Sequence, residues 1–253
     1  MPFQIRVVEK NIEIAVNYYG KVYKQCKDYL IETKNPDIVL WVSESEVDNE
    51  IERLRYLDDN GVMRYPDISR GEVVSTAVCR RLAEAFLPYD IYLMHGSVVS
   101  DGRYAYMFSA PSGTGKTART LFFLEKIPNS FVVNGDKPFL KIEKGRVLAC
   151  GSPWCGKEGL NTNTMQPLRA IFLLERADET EVTELSFLDA LPKLLEQTYF
   201  PSDSVLAVKT LGLLKQLEGK VKFYRFQSSY DAESVFQAWN IVKPEADSEK
   251  VDL

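Results

Sequence analysis

The sequence holds a single histidine, His95, and four cysteines, Cys26, Cys79, Cys150 and Cys155, among 253 residues. So few cysteines in a chain this long exclude a disulfide-built scaffold. Cys150 and Cys155 lie five residues apart, but zinc needs four ligands and one histidine does not complete the set. The thiols read as buried or half-buried. Basic charge is also short: 31 Lys and Arg against 36 Asp and Glu leave a net charge of −5. With no basic excess to neutralise phosphates, nucleic acid is not an expected partner. No apolar run approaches the ~20 residues that cross a bilayer, so no membrane partner is expected either. The N-terminal stretch alternates apolar and polar residues without a basic-then-apolar leader, and the expected location is cytoplasmic.

What remains is a globular composition, 45% hydrophobic and 26% charged, enough for one large domain or two small ones. Short strands are expected at 3–8, 12–16, 20–26 and 37–42, then a polar helix at 46–54 and a loop through Asp58-Asp59-Asn60-Gly61. From 72 to 87 the apolar residues Val73, Val74, Ala77, Val78, Leu82, Phe86 and Leu87 recur at helical spacing. Strands at 91–94 and 97–100 lead through a two-residue Asp101-Gly102 turn to a return strand at 103–108. A loop at 110–115, a helix at 117–126, a strand at 131–134 and a hairpin turned at Lys144-Gly145 follow. The run AIFLLE at 170–175 reads as a strand buried on both faces.

The last third reads as helices at 185–198 and 204–217, the second stopped by Gly219, then a strand at 221–226 and a helix capped by Asp231. Leu185, Leu188, Leu191, Leu194 and Leu195 read as core packing. The expected organisation is a mixed α/β fold: a small α/β element over 1–70, a core over 71–243, and a disordered acidic tail over 244–253.

Residues Ala110-Pro111-Ser112-Gly113-Thr114-Gly115-Lys116-Thr117 fit the phosphate-loop pattern GxxxxGK[ST], with Ala110 at the first glycine position. Gly113 and Gly115 let the backbone turn its N–H groups inward, so that the loop from Ser112 to Thr114 cradles phosphate oxygens. Lys116 meets the β- and γ-phosphates, the Thr117 hydroxyl ligates Mg²⁺, and the following helix points its positive end at the nucleotide. The motif sits between an expected strand and an expected helix, as this chemistry requires. ATP and Mg²⁺ are the expected cofactors. Asp136 lies twenty residues after Lys116, at the end of a strand, where a carboxylate binds Mg²⁺ or takes a proton from an attacking hydroxyl. The plainer alternative is a turn aspartate beside Gly135. The hairpin before the loop gives its strand an antiparallel neighbour, unlike a Rossmann-like NTPase.

His95-Gly96-Ser97, the hairpin, SGTGKT, a short helix and Asn134-Gly135-Asp136-Lys137-Pro138 together resemble the HPr kinase/phosphorylase family, in particular its relatives of unassigned substrate. The segment Gly151-Ser152-Pro153-Trp154-Cys155-Gly156-Lys157-Glu158 is similar to one found there, and the resemblance covers about 72–176. It implies a mixed-sheet P-loop core of the phosphoenolpyruvate-carboxykinase type. It also implies ATP-dependent phosphoryl transfer to a hydroxyl, on a protein or peptide serine or a small alcohol. By it, His95 matches an active-site histidine, Lys116 the loop lysine, Asp136 the aspartate that activates the acceptor, and Thr117 a magnesium-binding hydroxyl.

Gly135 replaces the first of two adjacent aspartates, and Glu158 is a candidate to complete the metal shell in its place. No C-terminal arginine-bearing loop matches the one that supports phosphorolysis, so transfer without phosphorolysis is expected. Lys137 and Lys157 are candidates for pairing with phosphate or acceptor, Trp154 for walling a pocket or plugging the core edge, and 161–164 for lining the acceptor side. The alternative reading is a nucleotide-binding regulator with little turnover. The sequence leaves the oligomeric state open.

Overall fold

The computed structural model describes residues 2–55, 67–228 and 231–243. The loop expected at 58–61 and the tail expected at 244–253 lie outside the described residues. Strands β1 (Phe3–Val7) and β2 (Lys10–Val16) form an antiparallel hairpin turned at Val8 and Glu9, and β3 (Ile38–Val42) runs parallel to β2. A parallel pair cannot be joined by a tight turn and needs a crossover. That crossover includes helix α1 (Gly20–Gln25), where the sequence suggested a strand at 20–26. The buried residues Val22 and Cys26 are four apart, which is helical spacing, while the β-favouring Val-Tyr content of the segment hides it.

Helices α2 (Glu44–Leu54) and α3 (Arg70–Phe86) each start with a reciprocal capping box, Ser43 with Glu46 and Ser69 with Glu72. The expected stripe of α3 is buried, and one apolar cluster joins it to the three-stranded sheet and to Phe139 and Leu148.

The second sheet has nine strands, β4 (Ile91–Leu93), β5 (Ser97–Ser100), β6 (Ala105–Ser109), β7 (Phe131–Asn134), β8 (Phe139–Glu143), β9 (Arg146–Cys150), β10 (Met165–Arg176), β11 (Glu181–Leu185) and β12 (Lys222–Ser228). Its organiser is β10. The first three residues of β10 pair antiparallel with β9, and the rest run parallel to β6 on one side and β12 on the other. An irregularity between Leu168 and Ala170 accompanies the change of partner. The strand leading to the phosphate loop, β6, thus has the expected antiparallel neighbour β5 and, on its other edge, a parallel one.

Both faces of the central strands are covered, by α4 (Lys116–Lys126) and α7 (Ala232–Val242) on one side and α5 (Phe187–Gln197) and α6 (Ser204–Lys215) on the other. Ala170, Phe172 and Leu174 face the first pair, Ile171 and Leu173 the second. Burial on both faces is why AIFLLE shows no alternation.

Three local readings change. The β5–β6 turn centres on Gly102-Arg103, because Asp101 N–H donates to Tyr104 O at 3.2 Å and the Asp101 carboxylate accepts from both Arg103 and Tyr104 N–H. Strand β11 was not expected; it lies on the edge of the sheet, with Glu181 and Glu184 exposed, and so lacks a buried pattern. Leu188 is 71% exposed and is not core, since α5 turns only Ala190, Leu194 and Gln197 fully inward. All four cysteines are buried and free. No described helix is long and apolar enough to cross a membrane.

Candidate active site

Strands β6 and β7 both pair antiparallel with β5, so their C-terminal ends and the start of β5 lie on one side of the sheet. Three segments converge there: His95-Gly96 before β5, the phosphate loop after β6, and Gly135-Asp136-Lys137 after β7. The topology therefore brings together residues up to 42 positions apart, from His95 to Lys137.

In the loop, Gly113 and Gly115 have φ of +82° and +102°, a backbone that L side chains rarely adopt. Gly115 is also the N-cap of α4, with no side chain capping the first turn, so the N–H groups there are left for an anion. Two arginines brace the loop from behind. Buried Arg119 donates to Ser228 O and Oγ at 3.1 and 2.9 Å and to Thr114 O at 3.5 Å, while Arg176 donates to Gly113 O. Their hold on the Gly113 and Thr114 carbonyls fixes the peptide planes of the loop.

Lys116 is 8% exposed, and its Nζ donates to Ala110 O at 2.8 Å and Pro111 O at 3.2 Å. Burial pulls its pKa down, the charge of Asp136 partly restores it, and Lys137 lowers it further.

Asp136 is not the turn-maker of its segment. Buried Asn134 takes that part: its Oδ1 accepts from Asp136 N–H at 2.9 Å and Lys137 N–H at 2.7 Å, and its Nδ2 donates to Ser152 O and Oγ. The Asp136 carboxylate instead faces His95 Nε2 at 3.2 Å and accepts from Lys137 Nζ. Burial works against its charge, but the hydrogen bond from His95 and the adjacent Lys137 charge more than offset burial. They hold the carboxyl well below the ordinary carboxylate range. His95 is fixed at its other ring nitrogen too, with Nδ1 2.8 Å from Gln197 Oε1, and its backbone N–H donates to Gln197 O at 2.7 Å. Gln197 stands 102 residues from His95, and no local pattern marks it. Asn134, Arg119 and Arg176 were missed likewise; of the four, only Asn134 in Asn-Gly-Asp carried a turn signal.

Gly135 explains the absent second aspartate. A Cβ there would stand 2.6 Å from Cys155 O and 3.3 Å from Leu160 O, because the 155–162 segment crosses 132–135. Gly135→Ala is therefore expected to lower stability by ~1–3 kcal/mol, as overpacking does. Gly212→Ala, in open space inside α6, should raise it by up to ~1 kcal/mol. Denaturant unfolding of the two variants measures both.

Of the expected site residues, the structure brings His95, Lys116, Asp136 and Lys137 together. Ser112 and Gly113 are exposed on the loop, Thr114 and Gly115 are half-buried, and Thr117 lies one residue into α4. Glu158 is exposed and flanks Gly156 opposite Asp136: a Cβ on Gly156 would be 3.3 Å from Asp136 Cβ and 3.5 Å from Glu158 Oε2. Trp154 plugs the core edge, its indole N–H donating to Ser75 O at 2.9 Å, and also lines the cleft beside Asp136.

Among the described residues no three His, Cys, Asp or Glu side chains gather as a cation site. A Mg²⁺ that arrives on nucleotide phosphates needs only one or two protein carboxylates; Asp136 and Glu158 both border Gly156, and Thr117 offers a hydroxyl in the first turn of α4.

No protein-family model matches the chain, and no curated protein does. Among solved structures, the chain is similar to the Hpr(Ser) kinase/phosphatase from Coxiella burnetii at 11% identity and a TM-score of 0.28, covering 49% of this chain and 90% of that one. A likeness of that size carries no argument about chemistry.

Proposed function

We propose that the protein is an ATP- and Mg²⁺-dependent kinase that transfers the γ-phosphoryl group to a hydroxyl. The observation that carries this reading is the half-buried Asp136 carboxylate, held between His95 and Lys137 and within electrostatic reach of the loop lysine Lys116. In this reading the loop amides and Lys116 bind the phosphates and offset charge growing on the γ-phosphoryl oxygens. Asp136 orients the acceptor hydroxyl: its oxygen bonds to γ-phosphorus, the bond to the β,γ-bridging oxygen breaks, and the hydroxyl proton passes to the carboxylate. A carboxyl held below its ordinary range by His95 and Lys137 is a weaker base than a free one. Orientation and late proton uptake suit it better than early abstraction. Mg²⁺, when bound by Thr117, Asp136 and Glu158, would supply further charge neutralisation at the phosphates.

The test is incubation with γ-labelled ATP, Mg²⁺ and fractionated extract of the source cells, followed by acid treatment. Acid-stable label on one acceptor is expected. The crowding at Gly135, which bars a second carboxylate, favours one rival: a nucleotide-binding regulator. Tight nucleotide binding with no acceptor labelled in any fraction would establish that reading instead.

A further inference from the structure

Asp136 opens onto a cleft of about 630 Å³ walled by α1, the first turns of α3 and the 153–161 segment. Five lysines line it, Lys21, Lys24, Lys27, Lys137 and Lys157. Two are neutralised in place: Lys21 Nζ lies 3.0 Å from Glu72 Oε1, and Lys137 pairs with Asp136. Among the described residues, no carboxylate stands within ion-pair distance of Lys24, Lys27 or Lys157. The remaining acids nearby are Asp28 in the lining and Glu158 at the rim. The three N-terminal lysines recur every third residue, so they share a face of α1 and the turn after it, while Val22 and Cys26 point into the core. A chain with net charge −5 thus places in one cleft with Asp136 three lysines, Lys24, Lys27 and Lys157, that no described carboxylate pairs. Five lysines against Asp28, Glu72 and Asp136 leave the lining net cationic, and a net charge of one sign draws the opposite sign.

We infer that the acceptor is an anionic alcohol, a hydroxyl-bearing molecule or serine segment with a carboxylate or phosphate near its hydroxyl. Lys24, Lys27 and Lys157 hold the anion while the hydroxyl reaches Asp136. This rests on the kinase reading for the role of Asp136, but its test is a binding measurement that needs no turnover.

Two probe pairs serve, glycerol 3-phosphate against glycerol, and a serine pentapeptide flanked by glutamates against the same peptide flanked by glutamines. Calorimetry is run on the full chain and on the Lys24→Gln/Lys27→Gln/Lys157→Gln variant, with and without a non-hydrolysable ATP analogue. Exposed charge pairs are individually weak, so the acidic member of one pair should bind ~10-fold tighter through their combined effect. That preference should shrink as salt is raised and fall to ~2-fold in the triple variant. The pair that shows it identifies a small-molecule or a peptide acceptor. Equal affinity within both pairs, a preference that survives in the triple variant, or one abolished by the ATP analogue would each overturn the inference. Failure of the analogue to bind at all would count against the kinase reading and leave the anion preference to be read directly.

Discussion

Asparagine at position 136 is expected to slow phosphoryl transfer by ~10²–10⁴, since the acceptor hydroxyl loses both the carboxylate that orients it and the group that takes up its proton late in transfer. The substitution is clean because Asp136 contributes its backbone N–H, not its side chain, to the turn, which Asn134 holds. Asparagine keeps an oxygen for His95 Nε2 but removes the charge that pairs with Lys137. ATP affinity, set mainly by the loop and Lys116, should change much less. A residue serving only the turn would behave oppositely, since asparagine is nearly as good as aspartate there. Single-turnover transfer at the parent rate would sink the assignment. Selective loss of Mg²⁺-dependent nucleotide binding would move Asp136 from the acceptor to the metal.

The depressed Asp136 carboxyl adds a second readout. A carboxyl held below its unfolded value of ~3.9 contributes stability that is present above that pH and lost as pH falls through the folded value. The stability gap between parent and Asp136→Asn should therefore be flat from about pH 5 to 8 and close only in stronger acid. For the same reason, an acid limb in the pH–rate profile between about pH 5 and 7 would belong to another group.

How far the sequence reveals this site follows from the range of each interaction. The strand–loop–helix geometry of residues 105–126 was legible because its requirements are local: glycines where φ is positive, a lysine opening a helix, a strand just before. The hairpin at Lys144-Gly145, with φ of +49° and +79°, and the cap at Asp231 were legible for the same reason. What escaped depends on partners far along the chain. Helix α1 exists because β3 must return parallel to β2, a demand made by residues beyond the helix itself. Arg119 meets Ser228 across 109 positions and Arg176 meets Gly113 across 63, so nothing beside either arginine announces a brace. Gly135 looked like a lost metal ligand in the sequence. In the fold it is the only residue type that admits the 155–160 backbone.

Lys116→Ala is expected to weaken ATP binding by more than tenfold while leaving the fold intact. Lys116 is nearly buried, and in that setting a hydrogen bond to a charged group is worth ~1.5–3 kcal/mol, or roughly 10- to 100-fold in affinity. The ammonium rests on Ala110 O and Pro111 O, so truncation also leaves two loop carbonyls without a donor. Water reaches them more readily once the side chain is gone, and Arg119 and Arg176 still hold the loop from behind. The circular dichroism spectrum should be unchanged for that reason. Arginine is a poor substitute, because its planar fork cannot occupy the space of a compact ammonium. Lys116→Arg should therefore fail to restore the affinity despite keeping the charge. Calorimetric titration with ATP and Mg²⁺ across parent, alanine and arginine proteins decides the matter. Unchanged affinity in the alanine protein would show that residues 110–117 form an ordinary strand-to-helix turn, and the kinase reading would go with it.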